Sequence, residues 1–178
     1  MKELSLHILD VAQNSLAAGA TLVEISLLLK DATLTVTIAD NGRGMPPELA
    51  KKAADPFVTT RATRRVGLGL ALWKQAAEQA GGTFSLDTAE GKGTIVTASF
   101  QAGHIDTPPL GEMADTLVTL VQGAPDVDFV YRQGGPGNLF IWDTRELRKT
   151  LTDVPLSEPD VLAWLGEYLR EQLGLHVV

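Results

Sequence analysis

Asp40 closes a β-branched, alternating run (Thr33 to Ala39) and opens the pattern D-x-G-x-G, in which Gly42 and Gly44 bracket Arg43. A carboxylate at the end of a strand can accept a hydrogen bond from an exocyclic amine. Glycines there let the backbone pass close to a flat ring with no Cβ in the way. Upstream, Asp10 and Asn14 are four apart in a helix-patterned segment, so they share one face. A carboxylate and a carboxamide one turn apart are oxygen donors of the kind Mg²⁺ takes together with phosphate oxygens and water. Equally, each is an ordinary polar residue on a solvated helix. His7, a turn before Asp10, can orient that carboxylate or replace it as base, although a surface histidine is the plainer reading.

Downstream stand DPFVTTR, Asp55 to Arg61, and RRVGLGLALWKQAAEQAGG, Arg64 to Gly82. Gly67 and Gly69 open a helix that runs to the Gly81–Gly82 stop. Glycines at a helix N-terminus leave backbone N–H groups free to meet an anion, and the helix dipole adds attraction. Arg61, Arg64 and Arg65 place three cations just ahead of it, which suits a triphosphate. Thr94, past a turn at Glu90 to Gly93, can reach the base end of such a pocket, or is simply a β-favouring residue. A lone G-x-G is weak evidence. Together and in this order, the four constellations read as an ATP pocket.

The elements that must position them follow from periodicity. A helix starts at Leu4, with Leu4, Ile8, Val11 and Ala12 toward a sheet and Gly19 at its end. Strands are expected at Leu22–Leu29, Thr33–Ala39, Thr83–Thr88 and Thr94–Phe100, with a short helix from Pro47 to Ala54. Met45 to Gly67 forms a lid, expected to be the most mobile part without nucleotide. A boundary is expected near Gly103, followed by a helix over residues 110–122. Next come a hairpin of Val127–Arg132 and Leu139–Trp142, then helices at Thr144–Leu151 and Glu158–Leu173. His104 with Asp106 is read as a solvated loop pair.

Composition narrows the classes. The 44% hydrophobic content supports a core, and the absence of cysteine excludes disulfides and thiolate chemistry. A net charge of −7 argues against general nucleic-acid or anionic-membrane binding. Early charges in MKELSLHILD argue against a signal peptide, and no apolar run is long enough to span a bilayer, so a cytoplasmic protein is expected.

Residues 1–102 resemble the ATP-binding domain of the GHKL superfamily: gyrase-type, heat-shock-chaperone, histidine-kinase and mismatch-repair ATPases. The likeness is nearest to histidine kinases, because DPFVTTR, VGLGLAL and GGTFSLDTAEGKGT are similar to their lid and second glycine box. The whole chain, including IDTPPLGEM and FIWDTREL, resembles small stand-alone ATP-binding proteins of anaerobic bacteria. The resemblance implies an α/β (α+β) two-layer sandwich of the Bergerat type, with a mixed, mostly antiparallel sheet. A small α+β domain over residues 103–178, of unknown role, would follow it.

The resemblance also implies ATP or ADP with Mg²⁺ as ligands. Asn14 would hold the metal and contact phosphate; Asp40 would recognise the adenine amine; Gly42, Gly44 and Met45 would shape that wall. Phe57 would anchor the lid, with Thr59, Thr60 and Arg61 near the phosphates. Gly67, Leu68 and Gly69 would wrap the triphosphate, and Thr94 would support adenine. Hydrolysing relatives carry glutamate as general base where this chain has Asp10, one methylene shorter, so slow intrinsic hydrolysis is expected.

Two function classes follow. One is a kinase that passes the γ-phosphate to a partner's histidine, or to a serine as in anti-sigma-factor relatives. The other is a nucleotide-gated binding module without phosphotransfer. The chain shows no H-E/D-L-x-x-P-like phosphoacceptor helix, so any acceptor sits on a separate partner protein. Either class is compatible with a homodimer.

Overall fold

A computed structural model describes residues 3–53 and 69–178 of the chain. Helix α1 (Leu4–Ala17) is followed by strands β1 (Leu22–Lys30) and β2 (Thr33–Asp40), then by helices α2 (Pro47–Ala53) and α3 (Gly69–Gln79). Strands β3 (Phe84–Ala89) and β4 (Gly93–Gln101) come next. The remainder is α4 (Met113–Gly123), β5 (Asp128–Gly135), β6 (Asn138–Asp143), α5 (Thr144–Leu151) and α6 (Pro159–Leu175). The strands form one mixed sheet in the order β3-β4-β2-β1-β5-β6, in which only the β1–β5 pair is parallel.

Period-2 alternation decides what each strand buries. Val23, Ile25 and Leu27 of β1, Leu34, Val36 and Ile38 of β2, and Val96, Ala98 and Phe100 of β4 enter one core. The helices close over them with Leu4, Ile8, Val11 and Ala12 of α1 and with Leu70, Trp73 and Ala77 of α3. The register sets Asp40 opposite Thr94 across the β2–β4 pair, which brings two of the expected site residues side by side.

The boundary expected near Gly103 falls at a turn, where Gly103 has φ 83°, yet sheet and core both run across it. Strand β5 lies parallel to β1 from Leu22↔Asp128 to Leu28↔Gly134, so residues 103–178 contribute their two strands to the same sheet. Pairing between strands a hundred residues apart leaves no mark in local periodicity, which is why only a separate hairpin was legible. Leu117, Leu120, Phe129, Tyr131, Leu165 and Leu169 join the same buried cluster as α1.

Helix α4 begins at Met113, three residues later than the spacing suggests. The preceding PPLG stays outside the helix, and its carbonyls are used elsewhere: Pro109 O accepts from Leu4 N at 2.9 Å and Leu110 O from Ser5 N at 2.9 Å. Two of the N-terminal donors that α1 cannot satisfy itself are thereby paired.

Candidate nucleotide site

A cavity of about 270 Å³ opens between α1, the end of β2 and β4. Val11, Ala18, Met45, Leu49, Leu70 and Val96 supply its apolar wall, and Asn14, Ser15, Asp40, Arg43 and Thr94 its polar groups. Ala17 and Gly44 complete it. Such a mixture, mostly apolar with a few convergent polar atoms, suits a flat heterocycle.

Asp40 is held from two sides. Ser15 Oγ donates to Oδ2 at 2.6 Å, and Gly42 N donates to Oδ1 at 2.8 Å. Ser15 has one proton, and its alternative acceptor, the Val11 carbonyl, lies at 3.4 Å, so the short bond to Asp40 wins. Each carboxylate oxygen keeps a lone pair for a ligand. Ser15 is the residue that sequence reading missed. It follows Asn14 directly, but nothing in local pattern reveals a partner 25 positions away.

On β3, opposite Thr94, the Thr88 hydroxyl accepts from Met45 N at 3.0 Å and directs its proton to the Gly93 carbonyl at 3.0 Å. The 3.0 Å contact between the Thr88 and Thr94 hydroxyls then requires Thr94 to donate. The Thr94 oxygen is left as an acceptor at the cavity wall. Two acceptors, Asp40 and Thr94, therefore stand on neighbouring strands, as an amine with two hydrogens needs.

The D-x-G-x-G glycines are also required by the protein's own packing. A Cβ on Gly44, which has φ +66°, would overlap the Ala89 carbonyl, and one on Gly42 would come within 3.0 Å of Ala18 and the Asp40 carboxylate. They make room for protein atoms, packing the loop against α1 and the β3–β4 turn, and Gly44 also lines the cavity. Arg43 N donates to Ala18 O at 3.0 Å in the same loop.

Asn14 reaches the cavity wall, and its Nδ2 is buried with no hydrogen-bond partner among the described residues. An amide left unpaired in this way can offer a hydrogen to phosphate and an oxygen to a cation, which fits the role implied for Mg²⁺. Among the described residues no cluster of three or more histidine or acidic side chains could hold a metal by itself. Any cation would share its coordination with the ligand's own oxygens.

Asp10 does not line the cavity. Its carboxylate packs against Gly69, the first residue of α3, so closely that a Cβ there would overlap it. Burial raises its pKa above the usual aspartate value. His7 is not the surface histidine its position suggests: α3 packs across α1 on that side, and His7 is buried against Trp73, with ring centroids 6.3 Å apart and planes 11° from parallel. Phe57, Thr59, Thr60, Arg61, Gly67 and Leu68 lie outside the described residues, as do Asp55, Arg64, Arg65 and most of the expected lid.

Burial lowers the His7 pKa from 6.5 to about 4. Below pH 6.5 the unfolded chain protonates this histidine while the folded chain does not. Stability is therefore expected to fall as pH drops from 6.5 toward 4, by up to about 3 kcal/mol at 1.36 kcal/mol per unit. Asp10, shifted upward, acts with the opposite sign at the acid end. Urea titrations across this range should show the slope, and His7→Gln should flatten it; an unchanged slope would place the titration elsewhere.

The sequence profile of the histidine kinase-, DNA gyrase B- and HSP90-like ATPase family matches residues 2–104, more than half of the chain. A putative NtrY-like sensor histidine kinase of Rickettsia conorii is 30% identical over 107 residues, 60% of this chain and 18% of that protein. The sensor protein RstB of Escherichia coli K12 is 35% identical over 100 residues, 53% of this chain and 23% of that protein. The chain thus corresponds to less than a quarter of the length of these relatives. The N-terminal domain of a DNA repair protein shares the fold, with a TM-score of 0.54 at 15% identity, over 79% of this chain and 52% of that one. That coverage extends past residue 104, in keeping with a sheet that continues through β5. The chain belongs to the histidine kinase-, DNA gyrase B- and HSP90-like ATPase family.

Proposed function

We propose that the chain binds Mg-ATP in this cavity and serves as a histidine-kinase-like catalytic domain that passes the γ-phosphate to a separate partner protein. The observation that carries the nucleotide reading is the Asp40 carboxylate, fixed by Ser15 and the Gly42 N–H with lone pairs turned to an apolar cavity. Adenine would place its amine between Asp40 and the Thr94 oxygen and its ring against Val11, Met45 and Val96. Asn14 would meet the phosphate end. Bound Mg²⁺ would neutralise phosphate charge there.

Asp10 would act on the γ-phosphate side, where its raised pKa makes it a stronger base than an ordinary aspartate. Its withdrawal from the cavity lining onto Gly69 favours a second reading, in which nucleotide binding gates partner affinity without turnover. The two separate in one experiment. Incubation with γ-labelled ATP, Mg²⁺ and candidate partner proteins is expected to label a partner's histidine, in an acid-labile, base-stable linkage. Complex formation that depends on nucleotide but leaves every partner unlabelled would select the gated module instead. A cytoplasmic location and a homodimeric state are proposals of the same reading.

A further inference from the structure

Trp164 stands on α6 with half of its surface exposed, although tryptophan is highly buried on average. Its indole is not a loose appendage. It stacks on Tyr168 with centroids 5.2 Å apart and planes 10° from parallel, and Tyr168 packs on the buried Phe140 of β6 at 6.3 Å. The pair forms a platform anchored in the core. Asp160, Glu167 and Glu171 fall on the same helical stripe, and all three are exposed. Among the described residues none of the three has an ion-pair partner; Arg170 beside them is engaged by Asp115 at 2.6 Å. An exposed aromatic face ringed by unneutralised carboxylates attracts a cation through both charge and quadrupole.

We propose that this stripe of α6 is a docking surface for an arginine-bearing, otherwise apolar segment of another protein. A planar guanidinium can lie on the indole while its fork of donors reaches carboxylates on either side, which an ammonium cannot do as well. Leu175, exposed at the far end of the stripe, gives the segment's apolar side chains a contact. A second copy of this chain fits poorly, because a two-fold contact sets the same carboxylates against each other. An anionic lipid surface is repelled by the same groups. The surface is independent of the nucleotide reading and stands or falls without it.

The test titrates the full chain against a short fluorescein-labelled peptide of interspersed arginine and leucine, read by fluorescence anisotropy. Wild type is expected to bind it. Trp164→Ala should weaken binding about tenfold, the scale of a desolvated cation–π contact. The double variant Glu167→Gln/Glu171→Gln, which keeps the aromatic pair, should weaken it several-fold. A lysine-for-arginine peptide should bind less tightly. Failure of the arginine peptide to bind, equal binding by Trp164→Ala of unaltered circular dichroism, or equal binding of a glutamate-for-arginine peptide each overturns the proposal. So does sedimentation showing self-association that Trp164→Ala abolishes and the peptide cannot displace, since the occupant is then a second copy.

Discussion

Asp10→Asn is expected to slow ATP hydrolysis by about 10²–10⁴-fold, the usual cost of removing a general base. Three observations support the proposal of Asp10 as that base. It lies one helical turn before Asn14, whose amide is at the cavity wall. Its carboxylate rests against Gly69 at the N-terminus of α3, where only a glycine leaves room for it. Burial raises its pKa, which strengthens it as a base. The wild-type rate should itself be modest, because the short side chain stops at Gly69. Asp10→Glu restores the methylene that aspartate lacks, and hydrolysis should rise above wild type. Steady-state phosphate release is expected to rank the three as Asp10→Glu, wild type, Asp10→Asn. Equal rates for wild type and Asp10→Asn, at a turnover clearly above background, would move the base to another residue.

Trp73→Ala is expected to destabilise the chain by about 3–5 kcal/mol, the range for deleting a large aromatic side chain from a core. Trp73 is fully buried in the main core, stacked on His7, and it is the largest side chain by which α3 is fixed across α1. Against a total stability of roughly 5–15 kcal/mol the loss approaches unfolding. Its Nε1 is buried without a hydrogen-bond partner among the described residues, so volume is the contribution they show for the indole. Trp73→Phe keeps most of that volume and removes the unpaired donor, and should cost less than about 1.5 kcal/mol. Urea unfolding followed by circular dichroism measures both. A small loss for Trp73→Ala would show that α3 is held mainly by other contacts, and Asp10 would then lose its fixed neighbour as well.

Much of the site could be read from the residues because its parts are local. Helix spacing put Asp10 and Asn14 on one side of α1, the alternation of Thr33 to Ala39 put Asp40 at a strand end, and the Glu90–Gly93 turn brought Thr94 back beside it. Those inferences need only the periods of helix and strand. What stayed hidden is non-local. Ser15 gains its meaning from Asp40, His7 from Trp73, and β5 from β1, and each partner is set by packing between elements whose order in space is not written in their own spacing. Gly42 and Gly44 show the same limit from another side. Their need for small size was evident, but the atoms they make room for belong to Ala18 and Ala89.

Calorimetric titration of Mg-ATP into the wild type and into Asp40→Asn tests the nucleotide site most directly. One ATP per chain should bind the wild type, and GTP, which presents a carbonyl where adenine has its amine, should bind far more weakly. Asp40→Asn turns an amide toward donors that the carboxylate accepts from, including Ser15 and the Gly42 N–H. The loss of a charge-assisted bond should cost about 1.5–3 kcal/mol, a ten- to hundredfold fall in ATP affinity. ATP affinity unchanged by Asp40→Asn would contradict the assignment of this cavity to adenine.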